Sequence, residues 1–330
     1  MNTMEIPRKY DRVIVYRITQ DCNMRCRFCS YSCDVKRKRD SADPELIDSF
    51  SEVLGEYRRL TGKNILVSWI GGEPFLYKDI IPLSKRLHSL GICVSATTNG
   101  TLLSESIIRD ICGLFSEIVI SLDSFEDCND DVRQLSGHFS MVSEKIRLLN
   151  RIRSETGSGV KIKVNTILMR RNIADFERFC QYLAELGVDE ITFNRLGGYD
   201  RPEFFGENRL LYSQSEKFAA ELQSIKERLA ERGLVIHGSK KYMERFMTAA
   251  QDIPSPIEEC SPGSYFWFIN ENGFISPCSY TSYEYMYDLR EIKRPADIDR
   301  AEEYFREMRR SCRSKWCADC FCTQVYDKFE

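Results

Sequence analysis

Three observations predict an α/β fold built around a parallel sheet. β-rich stretches alternate with helical patterns six times between residues 13 and 196, as expected of strands joined by right-handed helical crossovers. The chain has 330 residues, enough for one large or two medium domains,. Its 42% hydrophobic and 29% charged content is that of a globular protein with a substantial core,. Length and alternation alone leave open whether the sheet is flat or curled into a partial barrel.

The elements follow in order. VIVYRIT (13–19) is β-rich, and PELIDSFSEVLGEYRRL (44–60) has helical spacing behind a proline suited to a first turn,. ILVSWI (65–70) precedes a helix over 79–90, ICVSATT (92–98) a short helix near 104–113, and EIVISLD (117–123) a helix over 140–153. VKIKVNTILM (160–169) precedes a helix over 173–186, and EITFNRL (190–196) closes the series. After Gly197 and Gly198 a polar segment leads to an amphipathic helix near 213–232, a short strand LVIHG and a helix over 240–250. QDIPSPIEECSPG (251–263), with three prolines and a glycine, reads as a linker,. YFWFINENGFISPC (265–278) reads as a hairpin turning at Glu271–Gly273, and a helix over 297–310 delivers the terminal CRSKWCADCFC,. The expected division is 1–200, a helical bridge over 201–254, and a small unit over 255–330. That last unit is short on core, and a metal would stabilise it.

Forty-seven basic residues against fifty acidic ones give a net charge of −3, so no nucleic-acid partner is expected,. No apolar run approaches the roughly 20 residues that span a bilayer, so no membrane partner is expected either,. The opening MNTMEIPRKYDR lacks the apolar stretch of a signal peptide,. The expected location is the cytoplasm, where thiols are kept reduced. Fourteen cysteines there are buried apolar residues or metal ligands rather than disulfides,. Cys33, Cys93, Cys112, Cys128, Cys180, Cys312 and Cys322 stand singly or at the edges of clusters, and most read as small hydrophobes. The other seven form two groups at opposite ends of the chain.

Cys22, Cys26 and Cys29 follow the first strand, where parallel α/β folds place their active-site loops,. Three thiolates in eight residues can grip three irons of a cubane and leave the fourth iron open to a ligand. With Cys33 as a fourth ligand the same stretch could instead hold a structural zinc.

The spacing Cys22-x3-Cys26-x2-Cys29, with aromatic Phe28 just before the last cysteine, resembles the signature of the radical S-adenosylmethionine (SAM) superfamily. GGEP (Gly71, Gly72, Glu73, Pro74) after the second strand is similar to that superfamily's methionine-binding turn. Glycines permit close backbone approach, and a carboxylate with free carbonyls can accept the donors of an ammonium group. TTNG (Thr97–Gly100) and SLDS (Ser121–Ser124), after the third and fourth strands, are similar to segments that touch the SAM methionine and ribose. The resemblance implies a partial (β/α)6 barrel. It also implies a 4Fe–4S cluster on Cys22, Cys26 and Cys29, with SAM on the open iron, and reductive cleavage to a 5′-deoxyadenosyl radical that takes a substrate hydrogen. Thr98, Asn99, Ser121, Asp123 and Asn165 would line the SAM site, with Cys33 left over in the loop. A flavodoxin- or ferredoxin-type electron donor is the implied protein partner.

Cys260, twelve residues, Gly273, four residues and Cys278 resemble the opening of SPASM and twitch auxiliary-cluster domains. With Cys317 and Cys320 they would hold a second, fully ligated 4Fe–4S cluster, as in twitch enzymes of the 2-deoxy-scyllo-inosamine dehydrogenase type. Cys312 and Cys322 lie beside this set, and Cys322 puts in doubt which thiol is the fourth ligand. A zinc knuckle on the same four cysteines is the alternative.

The basic run VKRKRD (35–40) reads as a solvated surface, or as a docking site for an electron donor or an anionic substrate,. Arg195 ends the sixth strand and is expected either to grip the SAM carboxylate or a substrate oxygen or to form an ordinary salt bridge,. Tyr280, Tyr283, Tyr285 and Tyr287 are expected on one face of a strand, and His88, His138 and His237 receive no role. A substrate radical beside an auxiliary cluster can lose an electron to it, giving oxidation. A cysteine, with Cys312 and Cys322 as candidates, can instead return a hydrogen atom, giving epimerisation. Only twelve residues precede the first strand, so no leader-binding domain is expected in cis. This favours a sugar, cyclitol or nucleoside-like substrate over a ribosomally made peptide. A non-catalytic zinc or iron–sulfur protein would explain the cysteines but not GGEP, TTNG and SLDS at successive strand ends.

Overall fold

The apolar residues of β1 (Arg12–Thr19) start the sheet, with Ile14 and Ile18 wholly buried. The computed structural model of the protein describes residues 9–29, 39–198 and 201–323. Cys33 and residues 35–38 of the basic run lie outside that set. The chain continues through α1 (Pro44–Thr61), β2 (Ile65–Gly71), α2 (Ile80–Ser89), β3 (Cys93–Thr98), α3 (Glu105–Leu114) and β4 (Glu117–Ser121). Next come α4 (Glu126–Arg133), α5 (His138–Thr156), β5 (Lys161–Leu168), α6 (Phe176–Glu185) and β6 (Glu190–Arg195). Then follow α7 (Pro202–Asn208), α8 (Tyr212–Ala230), β7 (Val235–Ile236) and α9 (Lys240–Ala250). The hairpin β8 (Phe266–Ile269) and β9 (Phe274–Ser276), β10 (Tyr287–Asp288) and α10 (Pro295–Ser311) complete the described part.

Local chemistry sets the helix ends. Pro44 opens α1, the Asp43 carboxylate accepts from the Glu45 N–H at 2.9 Å, and Gly62 closes the helix with φ of 68°,. Ser104 and Ser239 cap α3 and α9 by accepting from Ile107 N and Tyr242 N,. Among the described residues, no helix is long and apolar enough to cross a membrane.

Strands β1 to β6 are parallel neighbours in sequence order and, with their helices, form the partial (β/α)6 barrel. Their C-terminal ends all open on one side. The sheet also continues past β1 on its other edge. β8 pairs parallel with β1, Val13 opposite Phe266 and Tyr16 opposite Ile269, and β9 returns antiparallel. One hydrophobic cluster runs from Ile14 and Trp69 into Trp267, Phe305 and Cys320, so the C-terminal unit shares its core with the barrel. Arg12 stacks on Trp267 at 4.7 Å and pairs with Glu302, which ties the same two regions together.

Two helices are additional to those read from the sequence, α4 and α7. The four tyrosines do not share a strand: Tyr280 sits in a 3-10 turn, Tyr283 is exposed, Tyr285 is buried and Tyr287 alone lies in β10. The turn bonds Thr281 N–H to Cys278 O and Glu284 N–H to Thr281 O bend this stretch out of an extended conformation. Cys112 and Cys180 are core residues as expected, while Cys93 and Cys128 are half-buried.

Candidate active site

The cysteine loop after β1 is fastened to the turn after β2. The Gly72 N–H donates to Thr19 O at 2.9 Å and the Glu73 N–H to Asp21 O at 2.6 Å. A Cβ on Gly71 would strike Thr19 O, and one on Gly72 would strike Asp21 O. The glycine pair is therefore required for the approach of the turn to the cysteine loop. Farther along, the Met24 N–H points at Cys22 Sγ (3.4 Å), the Cys29 N–H donates to Cys26 O (3.1 Å), and the Arg27 N–H donates to Val132 O (2.8 Å) in α4. All three are thiols rather than disulfides and lie within one another's electrostatic reach. Burial pushes the Cys26 thiol up to about 11, against the pull of the Arg133 charge,.

Glu73 joins two turns. Its side chain is fully buried and accepts from Thr98 Oγ1 (2.7 Å), Asn99 N–H (2.7 Å) and Phe75 N–H (3.2 Å). The carboxylate thus locks the turns after β2 and β3 together. Asn99 carries the link onward. Its Nδ2 donates to Asn23 Oδ1 (2.9 Å) beside Cys22, and its carbonyl accepts from His138 Nε2 (2.9 Å).

Asp123 is likewise committed. It is 1% exposed and accepts from Arg133 Nε (2.9 Å) and from the Ile167 N–H (2.8 Å). Arg133 is buried and also lies over the Phe28 ring at 5.4 Å, behind Cys29. His138, given no role from sequence, accepts at Nδ1 from Asn129 Nδ2 (2.9 Å) and donates from Nε2 to Asn99, which fixes its neutral tautomer,. Burial holds its pKa below the usual value, in keeping with a neutral ring. Arg133 and His138 escaped the sequence reading because their partners lie in other turns. The one local signal was a buried-type arginine in an otherwise acidic stretch.

Ser121 and Asn165 pair across β4 and β5, half-buried at the strand ends. Asn165 Oδ1 accepts from Thr192 Oγ1 (2.9 Å) and Asn194 Nδ2 (3.1 Å), making a polar bridge to β6. Arg195 ends β6 with its guanidinium over the Phe321 ring at 4.2 Å. Among the described residues it has no carboxylate ion pair.

Phe321 separates Cys320 from Cys322. Cys260, Cys278, Cys317 and Cys320 lie within electrostatic reach of one another, all free. The Gly273 turn of the β8–β9 hairpin supplies Cys278, and the segment after α10 supplies Cys317 and Cys320. Arg309 donates to Cys317 Sγ at 2.6 Å, and Arg245 Nε donates to Cys320 O at 3.1 Å. Cys322 is half-buried, and its N–H points at Cys320 Sγ (3.4 Å). Cys312 is exposed at the end of α10, its carbonyl accepting from the Tyr285 hydroxyl, and is not among the residues gathered at the strand ends.

A family model described as "Radical SAM superfamily" matches residues 16–183, which is half of the chain. The chain belongs to the radical SAM superfamily. Among its relatives, a probable GTP 3′,8-cyclase of Sulfurisphaera tokodaii is 29% identical over 234 residues, 69% of this chain and 67% of the relative. An AdoMet-dependent heme synthase of Oleidesulfovibrio alaskensis is 24% identical over 344 residues, 93% of this chain and 80% of the relative. Among solved structures, Streptococcus suis SuiB bound to S-adenosylmethionine superposes with a TM-score of 0.68 at 16% identity, covering 96% of this chain and 72% of SuiB.

Membership of the radical SAM superfamily implies a 4Fe–4S cluster and SAM, and the donor set can be tested for fit. Among the described residues, no three Cys, His, Asp or Glu are gathered tightly enough for a single metal ion. In a cubane each thiolate binds its own iron; three thiols within one another's reach near the first strand, and four near the end of the described chain, are donor sets of that kind.

Proposed function

We propose that this chain is a radical SAM enzyme that takes a hydrogen atom from a small sugar, cyclitol or nucleoside-like substrate, with net oxidation or epimerisation as the outcome. Cys22, Cys26 and Cys29 would hold the SAM-binding cluster, and Cys260, Cys278, Cys317 and Cys320 an auxiliary 4Fe–4S cluster. When bound, the first cluster and SAM supply reductive cleavage to a 5′-deoxyadenosyl radical, and the second cluster supplies a one-electron acceptor. The observation that carries the reading is the fastening of the cysteine loop, through Thr19 O and Asp21 O, to the Gly71–Glu73 turn.

The protein's own side chains would do the positioning. Glu73 and Asn99 hold two strand-end turns against the Cys22 loop, and Asp123 holds Arg133 behind Cys26 and Cys29. Asn165, Thr192 and Asn194 present a polar wall at the ends of β5 and β6. A flavodoxin- or ferredoxin-type protein would supply the electron. Relatives named for GTP cyclisation and heme synthesis lend support to a small-molecule substrate. The second reading, a ribosomally made peptide, is favoured by the likeness of fold along 96% of the chain to SuiB, which has also been solved with its precursor peptide SuiA.

The test is anaerobic reconstitution, addition of SAM and dithionite, and mass spectrometry of 5′-deoxyadenosine. Wild type should form it, and a Cys22/Cys26/Cys29→Ala triple variant should not. An iron-loaded wild type that makes no more than the variant would sink the catalytic reading and favour a metal-binding protein.

A further inference from the structure

A small cleft, with about 20 Å³ of room behind an open mouth, lies beside the end of β6. Leu196, Phe205, Leu210 and Phe246 give it apolar walls, and Arg195 and Arg209 both line it. The two arginines differ in their commitments. Arg209 is fully engaged, pairing with Asp252 at 2.8 Å and donating to the carbonyls of Ala249 (3.0 Å) and Ala250 (3.2 Å). Arg195 is half-buried, its Nη2 is buried without a hydrogen-bond partner, and it forms no ion pair among the described residues.

The nearest acid does not answer this need, because Asp319 is held by Arg245 Nη2 (2.8 Å) and by the Ser255 N–H (3.0 Å). Tyr242 is also spent, donating to Phe193 O at 2.8 Å. The aromatic face of Phe321 offsets only part of the loss of water around a guanidinium. Burial and the neighbouring Arg245 charge pull the Arg195 pKa down to about 10, so the protein tolerates a cation in a place that disfavours one,. A side chain kept under such strain at the mouth of an active barrel is a candidate for ligand contact.

We infer that the Arg195 cavity receives an anionic group of the substrate, a carboxylate or a phosphate. With room for little more than a water-sized group, the cleft takes only the oxyanion end of a larger molecule whose remainder lies outside it,. A guanidinium fork offers two parallel donors to either oxyanion. Arg195 ends β6 beside the Asn165–Asn194 bridge and lies over Phe321 of the Cys320–Cys322 segment, so a substrate anchored there would lie against that segment. In assigning the anion to a substrate, the inference rests on the radical SAM function proposed above.

The test measures binding without turnover. Reconstituted holoenzyme is titrated with inorganic phosphate, followed by 31P line broadening, and with 13C-labelled acetate, followed by 13C line broadening; SAM affinity is measured in the same samples. Wild type should bind at least one of the two saturably, on the order of millimolar. Phosphate binding would point to a phosphorylated substrate and acetate binding to a carboxylate. Arg195→Met should weaken binding at least tenfold, and Arg195→Lys less. Ala249→Met, which fills the cavity from its other wall, should weaken it as Arg195→Met does even if the latter misfolds. Absent binding in wild type, or binding indifferent to all three variants, would overturn the inference. A loss of SAM affinity in Arg195→Met equal to the loss for the anion would overturn it too, by making Arg195 a SAM ligand. Because no chemistry is required, anion binding can survive even if no 5′-deoxyadenosine is formed, so failure of the proposed enzyme activity and failure of this inference give different results.

Discussion

Arg309 donates a hydrogen bond of 2.6 Å to the sulfur of Cys317, while its Nη2 bonds the carbonyls of Ile257 and Glu258. A cation anchored against a ligand sulfur favours extra negative charge on any cluster held there. Arg309→Met is therefore expected to lower the potential of the proposed auxiliary cluster, by on the order of tens of millivolts. An EPR-monitored redox titration would show this, with Arg309→Lys falling between. An unchanged potential would reduce Arg309 to a loop clamp.

Gly72→Ala tests the fastening of the two turns. The added methyl would collide with the carbonyl of Asp21, which immediately precedes Cys22. Either the Gly71–Glu73 turn or the cysteine loop has to move. With two cubanes proposed, the expected result is a fall from about eight irons per chain to about four, with little change in far-UV circular dichroism. Full iron loading would mean that the loop adapts without consequence.

At the opposite end of the barrel, Lys163 bridges Glu117 and Glu190 at 2.8 Å each, and His237 bonds Glu190 at 2.9 Å. Burial tends to raise the Glu190 pKa, but the bonds from His237 and Lys163 outweigh it and hold it at about 2, below the ordinary 4.5. The contribution to stability is therefore complete above about pH 5 and is lost as the pH falls toward 2. Glu190→Gln should cost on the order of 2 kcal/mol at pH 7, a figure reduced for the solvent that still reaches the pair. The difference from wild type should shrink on acidification. Urea unfolding at pH 7 and pH 4 would reveal it, and a gap of equal size at both would contradict the account.

The doubt over the fourth auxiliary ligand can be resolved by two single variants. Cys320 is buried and lies within electrostatic reach of Cys278 and Cys317, whereas Cys322 is half-buried. Cys320→Ala should lose about four irons and Cys322→Ala none. The reverse result would exchange their roles.

The six strands of the barrel were legible because each is a short apolar run bounded by polar turns, and helix starts such as Asp43-Pro44 announce themselves locally. α4 was not legible: EDCNDDVR offers only Cys128 and Val132 as apolar residues, and its buried face joins Val132 to the polar Asn129 and Arg133. The tyrosine series misled because turn bonds around Thr281 override the extended conformation that aromatic residues favour,. Candidate site residues could be named from motif spacing, but their tasks could not. Glu73 and Asp123 look like ligand contacts in the sequence, and only the folded partners reveal that both also brace neighbouring turns. Arg195 was found by its position at a strand end, while the cavity beside it is built by α7 and α9 from far along the chain.

The pairing of β8 with β1 has a consequence for how the protein is made. Strand β1 lies inside the finished sheet, between β2 and a partner 253 positions later in the chain, as the Val13–Phe266 register records. Until Phe266–Ile269 has been synthesised, β1 keeps one row of unbonded amides and carbonyls, an open template for pairing with another chain. Among the described residues the sheet ends on β7 and β10, each two residues long, which leaves little for a stranger to extend,. Truncation before the hairpin would therefore leave a sticky barrel rather than a smaller, well-behaved one.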